Sequence, residues 1–248
     1  MVIYRKIKIG TKLLSVALGV LLFSANSGFA DTIKVAIFDS GATAYVNRGV
    51  SFTDIAANKD PLNHGTEIAR LVRQGNPMAE IIMVQVCENV NGNFEPSQAA
   101  ILKAIEWVVQ NKINIVNLSL VTKYNNEIEK AITDASTSHG VIFVAAAGNK
   151  TIASHFATDK NGYIRKVSKV VKPGFPASNK HVVAVGAVDY DGQIASYSDK
   201  TCDIYENGKV LGQEGTSFSC ARITAKAIKA LSKHSSINTK EELLTYLK

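Results

Sequence analysis

The sequence predicts one α/β domain built on a doubly wound, mostly parallel β-sheet with helices on both faces. Short, mostly apolar runs rich in Val and Ile alternate with segments of helical periodicity along the chain. Strands that are apolar throughout are typical of parallel sheets buried on both faces. No linker rich in Pro, Gly or Ser interrupts residues 31–248, so we expect a single domain there.

Strands and helices alternate in the first half of the chain. In order, we predict a strand at 33–38, a helix at 66–74, a strand at 81–86, a helix opened by Pro96 and a strand at 113–118. A glycine follows the first helix, and apolar residues of the second helix recur every three or four positions. Each strand is a short, mostly apolar segment.

The second half continues this pattern. We predict a helix at 126–138, strands at 141–146 and 182–188, and helices at 217–231 and 240–247. Asn161-Gly162 and Asn207-Gly208 are each expected to form a hairpin turn, because Asn-Gly suits the positive φ angles of such turns.

The N-terminus has the organisation of a cleaved signal peptide. A basic stretch at 5–12 precedes an apolar stretch at 13–23, and Gly28 and Ala30 place small residues at the cleavage site. The apolar stretch has 11 residues, whereas a membrane-spanning helix needs about 20. We expect residues 1–30 to be removed and the remainder to be exported, to the periplasm or outside the cell, with no stable membrane insertion.

The charge of the chain argues against nucleic-acid binding. The formal net charge is +7, but four basic residues lie in the first 30 residues without an acid, which leaves +3 for the rest. A nucleic-acid footprint needs a clustered basic face. Residues 150–172 hold six Lys and Arg against one acid. We interpret this stretch as a solvated loop, with contact to an acidic partner or substrate as the alternative.

Three cysteines, Cys87, Cys202 and Cys220, are an odd number for an exported protein. One disulfide with a free thiol and three buried thiols are both compatible with the sequence. Their spacing matches no metal site. A cysteine nucleophile is not expected, because the candidate histidine has a better-placed serine partner.

Four polar segments fall where strands end or helices begin: Asp39-Ser40-Gly41, His64-Gly65-Thr66, residues 145–149 and residues 215–219. In open α/β sheets, sites form at the carboxyl ends of the strands. Each segment alone is weak evidence, since short patterns recur by chance. Their shared setting and their order along the chain together indicate catalysis by a serine nucleophile.

Each of four residues suits one catalytic role. Ser217 opens a helix, so its hydroxyl lies near unpaired N–H groups at the positive end of the helix dipole. Neutral His64 can take the serine proton and later pass it to a leaving amine. Asp39 would hold the other ring nitrogen. The Asn149 amide would donate to the developing oxyanion together with the Ser217 N–H.

In this order, the four segments resemble the subtilisin family of serine peptidases. The resemblance extends over roughly residues 33–231 and includes Phe175-Pro176-Ala177 and residues 195–198. It implies a peptidase domain at 31–248 that cleaves protein or peptide substrates without a cofactor or metal, and a cis bond before Pro176. The implied site residues are the triad Asp39, His64 and Ser217, the oxyanion donor Asn149, and the substrate-binding residues Ser119, Leu120, Val121, Ala147 and Gly148.

The chain departs from the family pattern near the substrate cleft. Val121 replaces a glycine common in the family, and Pro96 removes an N–H from a second edge, at 93–97, that would pair with an extended peptide. Either change would narrow the cleft or shift the peptide.

The loop between the first helix and the next strand is too short for the family's calcium site, so we expect no tight calcium dependence.

Two other functions fit the same residues. The serine could pass its acyl group to an amine, as an acyltransferase or transpeptidase, or the scaffold could bind peptides without catalysis. Retention of all four site residues argues against the second alternative.

Only eight residues, 31–38, separate the predicted signal peptide from Asp39, which leaves no room for an inhibitory prodomain. We therefore expect an exported N-terminus at Asp31, without self-processing, and a separate inhibitor or chaperone protein is compatible with this.

Overall fold

The computed structural model describes residues 32–149, 154–158, 164–168 and 173–247. The predicted signal peptide at 1–30 lies outside the described residues, as does Lys150, the first residue of the basic segment. Among the described helices, none combines the length and apolar character needed to cross a lipid bilayer.

All strands and helices predicted from the sequence are present; the bounds at 182–188 and 240–247 match, and other ends shift by up to two residues. The strands are β1 Lys34–Asp39, β2 Arg48–Ser51, β3 Glu80–Gln85, β4 Cys87–Val90, β5 Asn93–Pro96, β6 Ile115–Leu118, β7 Ile142–Ala146, β8 Ser154–Thr158, β9 Ile164–Ser168, β10 Val182–Val188, β11 Ile204–Asn207, β12 Lys209–Val210 and β13 Gln213–Glu214. The helices are α1 His64–Val72, α2 Gln98–Gln110, α3 Asn126–His139, α4 Thr216–Lys233 and α5 Lys240–Leu247.

Seven strands form one sheet in the order β11-β10-β7-β6-β1-β3-β2. Every neighbouring pair is parallel, so each connection must cross over the sheet. The first strand lies near the middle, where Val35 pairs with Ile81 on one side and Ile115 on the other. This arrangement confirms the doubly wound α/β fold predicted from the sequence.

Helices cover both faces of the sheet, and the alternation of side chains along β1 shows how. Val35 and Ile37 point into a core shared with α1, α4 and α5, whereas Ala36 and Phe38 point into a core shared with α2 and α3. All four side chains are fully buried. The strand is therefore apolar at successive positions because both of its faces pack against helices.

Five short hairpin or edge features of the described residues were not predicted as strands. The edge strand β2 is polar and partly exposed. The hairpin of β4 and β5 turns at Asn91 and Gly92, both with positive φ. The edge strand β11 is partly exposed throughout. The antiparallel pair β8 and β9 flanks the predicted Asn161-Gly162 turn, whose own residues lie outside those described.

The predicted hairpin turn at Asn207-Gly208 is wrong. Asn207 is the last residue of β11, and the nearby hairpin of β12 and β13 turns at Leu211 and Gly212, which have φ angles of 48° and 81°. Gly208 serves close packing instead: a Cβ there would lie 2.6 Å from the Tyr197 hydroxyl. The glycine therefore marks a close approach of chain segments, which Asn-Gly also permits.

Candidate active site

The candidate site lies at the carboxyl edge of the sheet, where three neighbouring strands end. Asp39 is the last residue of β1, Ser119 follows β6, and Asn149 follows β7. The helices α1 and α4, which pack against each other, supply His64 and Ser217 in their first turns. The fold thus brings together all four residues expected to carry out catalysis.

Asp39 and His64 form a close pair. His64 Nδ1 lies 2.8 Å from Asp39 Oδ1 and 3.0 Å from Asp39 Oδ2. The Asp39 side chain is 4% exposed and that of His64 is 29% exposed, so the carboxylate is buried while part of the imidazole is open to solvent. An ionised carboxylate can only accept, so Nδ1 donates, and the neutral ring carries its lone pair on Nε2.

The glycines beside this pair allow the close approach. A Cβ on Gly65 would lie 2.0 Å from the Gly41 carbonyl oxygen and 3.1 Å from Asp39 Oδ1. Gly41 has a φ of 114° and faces the Lys59 carbonyl oxygen. A side chain at Gly65 would push the start of α1 away from Gly41 and Asp39, whereas one at Gly41 would clash with the Lys59 carbonyl.

A second carboxylate, Asp60, lies behind the pair and was not predicted from the sequence. Asp60 Oδ2 accepts hydrogen bonds of 2.7 Å from both the backbone N–H and the hydroxyl of Thr66. Its Oδ1 accepts one of 2.8 Å from Ser40, whose hydroxyl also lies 3.2 Å from Asp39 Oδ1. Asp60 therefore ties the start of α1 to the residue that follows Asp39.

Asp60 also replaces the usual helix cap. The N-cap residue Asn63 has a left-handed backbone and makes no side-chain cap hydrogen bond. Asp60 instead binds the free N–H of Thr66 in the first turn, where a negative charge is favoured by the helix dipole. An acidic residue shortly before a helix start was the available sequence signal for this role.

The pKa of His64 is raised above its ordinary value by its contact with Asp39. The negative charge of Asp39 is the largest cause, and its hydrogen bond adds to the effect. Burial of the ring opposes the shift, and the charge of Asp60 contributes a further increase. The imidazolium form is thus stabilised by two carboxylates, which suits a base that must hold a proton during a reaction.

Ser217 lies in the first turn of α4, one residue before Phe218, whose ring centroid is 6.1 Å from that of His64. Its hydroxyl donates a 3.0 Å hydrogen bond to the Ser119 carbonyl. In this structure the hydroxyl is therefore directed at the Ser119 carbonyl oxygen. Catalytic hydrogen bonds are often formed only when substrate is bound.

Buried polar contacts hold the start of α4 against β6. Ser119 Oγ lies 2.9 Å from the Ser217 carbonyl oxygen and 3.0 Å from Asn117 Oδ1. The Asn117 amide donates to Cys220 Sγ at 3.1 Å and to Thr224 Oγ1 at 3.0 Å. The network satisfies the buried Asn117 side chain and fixes the helix turn that carries Ser217.

Asn149 is exposed, and Thr216 fixes its orientation. Asn149 Oδ1 accepts hydrogen bonds from the Thr216 N–H at 2.8 Å and from the Thr216 hydroxyl at 3.0 Å. The same hydroxyl accepts a 3.1 Å hydrogen bond from the Gly148 N–H. Because its oxygen accepts these two hydrogen bonds, the orientation of the Asn149 NH₂ donor is fixed as well.

The expected substrate-binding residues lie at the carboxyl edge of the sheet but differ in how far they are buried. Ser119 and Ala147 are buried, and the Ala147 amide and carbonyl are both engaged, with Val185 and Gly174. Leu120 packs partly against the core shared with α2 and α3. Gly148 is buried, while Val121 is 43% exposed. The peptide bond between Phe175 and Pro176 is cis, which confirms the expectation from the sequence.

All three cysteines are free thiols in the structure, with Cys87 and Cys220 buried and Cys202 partly buried. Burial raises the pKa of Cys220 to about 12 and that of Cys202 to about 12. Burial and the charges of Asp39 and Asp60 raise the pKa of Cys87 as well. All three thiols are therefore poor nucleophiles at neutral pH.

Within the described ranges, no group of three or more His, Cys, Asp or Glu side chains is arranged to hold a metal ion. The absence of tight calcium dependence stays a prediction from the sequence.

An α/β sheet with an Asp–His pair, a helix-start serine and an oriented asparagine at its carboxyl edge defines the class of serine hydrolases with a subtilisin-like fold. The sequence model of the subtilase family matches residues 24–247. The chain therefore belongs to the subtilase family.

Two relatives show the extent of the similarity. Subtilisin E of Bacillus subtilis (strain 168) is 26% identical over 230 residues, an alignment that covers 82% of this chain and 56% of the relative. The Minor extracellular protease Epr of the same organism is 30% identical over 184 residues, with 67% of this chain and 25% of the relative covered. The chain thus spans only about half the length of subtilisin E.

Solved structures support the same fold. A cold adapted subtilisin-like serine proteinase matches with a TM-score of 0.65 and 20% identity, over 86% of this chain and 80% of the other. A lanthipeptide protease matches with a TM-score of 0.66 and 21% identity, over 86% and 78% respectively. At this identity the two structures are evidence for the fold alone.

Proposed function

We propose that this protein is a serine endopeptidase in which Asp39, His64 and Ser217 form the catalytic triad and Asn149 contributes to the oxyanion hole. The observation that carries the proposal is the two-point contact of His64 Nδ1 with the buried Asp39, beside the serine at the start of α4. Because the chain belongs to the subtilase family, we assign this arrangement to catalysis by a serine nucleophile.

The reaction begins when a peptide carbonyl enters between Ser217 and Asn149. Ser217 Oγ rotates from the Ser119 carbonyl toward His64 Nε2, transfers its proton there and attacks the carbonyl carbon. Asp39 holds the resulting imidazolium. The Asn149 amide and the Ser217 N–H, one of the unpaired donors at the start of α4, stabilise the oxyanion.

The tetrahedral intermediate collapses when His64 returns the proton to the leaving amine, which departs and leaves an ester on Ser217. Water then enters, loses a proton to His64 and attacks the same carbonyl. The second collapse breaks the ester bond as His64 gives the proton to Ser217 Oγ, which releases the carboxylic acid and restores both side chains. Protein or peptide is the substrate, and the chain needs no cofactor for these steps.

We also propose that residues 31–248 form the exported peptidase domain, acting in the periplasm or outside the cell. The basic and apolar stretches before residue 30 support export. The name of the extracellular Bacillus relative is in keeping with this location.

The proposal is tested with a fluorophosphonate probe followed by peptide mapping. We expect one labelled residue, Ser217, and loss of labelling in Ser217→Ala and His64→Ala. Ser219→Ala is a matched control, because Ser219 lies two residues further along α4 with its hydroxyl bound to the Glu206 carbonyl; it should label as the wild type does. Labelling of another serine, or retention of labelling in Ser217→Ala, would overturn the assignment.

Mass spectrometry of the products distinguishes hydrolysis from acyl transfer. A peptide cleaved in the presence of an added amine should yield the free acid as the main product. A product dominated by the new amide would make the protein an acyltransferase that uses the same serine.

A further inference from the structure

Val121 occupies the space between two glycines next to the candidate site. An ideal Cβ on Gly148 would lie 3.2 Å from Val121 Cγ1, and one on Gly174 would lie 3.1 Å from the same methyl group. For Gly148, apart from the glycine itself and its two chain neighbours, that methyl is the only atom of the described residues within 4 Å of the Cβ position. Two facing glycines leave a gap in a protein surface, and here the Val121 side chain lies in it.

Backbone hydrogen bonds fix the segments around this gap. The Thr122 N–H donates to the Phe175 carbonyl at 2.8 Å, so the segment that carries Val121 pairs with the chain next to Gly174. The Gly174 N–H in turn donates to the Ala147 carbonyl at 2.9 Å. Three chain segments thus lie side by side, and this pairing fixes the position of the backbone that carries Val121.

The gap lies beside the reacting atoms. Val121 is two residues after Ser119, whose carbonyl accepts the Ser217 hydroxyl, and Gly148 directly precedes Asn149. A carbonyl attacked by Ser217 with its oxygen at Asn149 must lie between these segments. The side chain of the residue that carries this carbonyl begins two bonds from the carbonyl carbon, so it is directed at the surface formed by Val121, Gly148 and Gly174.

Neither the valine nor the glycines can readily make room for a large side chain. Valine is branched at Cβ and stiff at χ1. Behind it lie Gly148, with a φ of 96°, and Gly174, neither of which has a side chain that could rotate away. Glycine in this arrangement would open a pocket, and valine fills it with three extra carbon atoms.

We propose that Val121 closes the pocket for the substrate residue immediately before the cleaved bond, so that the enzyme cleaves after small residues, Gly, Ala or Ser. The proposal rests on the proposed serine peptidase function and defines its substrate class. Peptides with Leu or Phe at this position are excluded because their side chains and the valine methyl groups would occupy the same space.

The test compares fluorogenic peptides that differ only at this residue: Gly, Ala, Ser, Leu or Phe. For the wild type we expect kcat/KM for Leu and Phe to be lower than for Ala by roughly tenfold or more, the size of effect that steric exclusion of methylene groups produces. Val121→Gly should raise kcat/KM for Leu and Phe by roughly the same factor. Val121→Ala should give a smaller gain and serves as a second variant if the glycine destabilises the chain.

Two control variants test whether the shape of the Val121 side chain, rather than the loss of any exposed side chain, sets the substrate preference. Val121→Thr has the shape of valine and should retain the preference for small residues. Ile194→Gly removes a β-branched side chain of similar exposure, 38% against 43%, from the loop after β10 and should leave the profile as in the wild type. Labelling with a fluorophosphonate gives the active fraction of every variant and does not depend on this pocket.

The outcomes are distinguishable. If Ser217 is labelled but the wild type cleaves after Phe or Leu as efficiently as after Ala, the inference about Val121 is overturned and the peptidase proposal stands. An unchanged profile in both Val121→Gly and Val121→Ala would overturn it in the same way. If Ser217 is not labelled at all, both proposals are overturned.

Discussion

Thr216 holds the side-chain oxygen of Asn149 with two hydrogen bonds, one from its backbone N–H and one from its hydroxyl. The residue before the proposed nucleophile thereby orients the proposed oxyanion donor. An exposed asparagine without such contacts would sample several rotamers and would lose orientational freedom in each catalytic cycle. Preorganised donors are more effective because they need no reorganisation when charge develops.

We expect Thr216→Val to reduce kcat by about tenfold with little change in KM, because the Asn149 amide is oriented by one hydrogen bond instead of two. Loss of the donor itself costs about 10²–10³ in kcat, the size measured for the oxyanion-hole asparagine of a subtilisin. Thr216→Ser keeps the hydroxyl and should stay near wild type. If Thr216→Val lowered activity no further in an Asn149→Ala background, the two residues would act together; full additivity would contradict the role of Thr216.

Asp60 sets part of the pH dependence of His64. His64 must be neutral to act as a base, so kcat/KM should rise as pH passes through a His64 pKa above the ordinary 6.5. Asp60→Asn removes one of the charges that raise this pKa, so the acid limb of the profile should move to lower pH. Glu67→Gln removes a carboxylate of α1 that is paired with Arg70 and should leave the limb in place. An unchanged limb in Asp60→Asn would contradict the electrostatic role.

The same shift has a consequence for stability. Because the pKa of His64 is raised in the folded state, the ion pair with Asp39 stabilises the protein below pH 6.5 and this contribution is lost as pH rises through the folded-state value. The contribution of the pair should therefore be larger in mildly acidic solution than in alkaline solution. Urea unfolding of the wild type and of His64→Gln, in mildly acidic and in alkaline solution, measures this difference in the free energy of unfolding.

Asn117 is fully buried in β6, and its amide donates to the Thr224 hydroxyl of α4. We expect Asn117→Val to lower the free energy of unfolding by about 1–3 kcal/mol, since it leaves buried partners without a hydrogen bond. Thr224→Val should cost a similar amount. The double variant should cost less than the sum of the two, because the unpaired hydroxyl is then removed as well. Additive costs, measured by denaturant unfolding, would show that the pair does not interact.

The thiols should be protected in the folded protein. Cys87 and Cys220 are buried, and the pKa of each thiol is raised. We expect iodoacetamide at neutral pH to modify the native protein slowly and to modify three cysteines in urea. A reducing agent should not change the melting temperature. Modification of only one cysteine in urea, with the other two regained on reduction, would show a disulfide that is incompatible with this structure.

Much of the fold and site could be predicted because the relevant signals are local. The buried strands are short apolar runs, and Asp39, His64, Asn149 and Ser217 each lie where an element ends or begins. Strand β2 was missed because its four residues are polar and partly exposed, so pairing with β3 rather than composition makes it a strand.

Other features depend on contacts between distant segments. Asp60 acquires its role only when Ser40 and Thr66 are brought to its two oxygens. The Ser217 hydroxyl is directed at Ser119, far away in the sequence, and no local pattern encodes this orientation. The misplaced turn at Asn207-Gly208 has the same origin, since tight packing against Tyr197 also requires a glycine.

The order of the elements along the chain separates His64 from Ser217 during synthesis. Asp39 and His64 leave the ribosome early, but Ser217 belongs to α4, which follows every strand of the seven-stranded sheet. A nascent or truncated chain that stops before α4 contains Asp39 and the proposed base His64 but lacks the proposed nucleophile. The capacity to cut other proteins would then arise only in a chain that has been completed and folded.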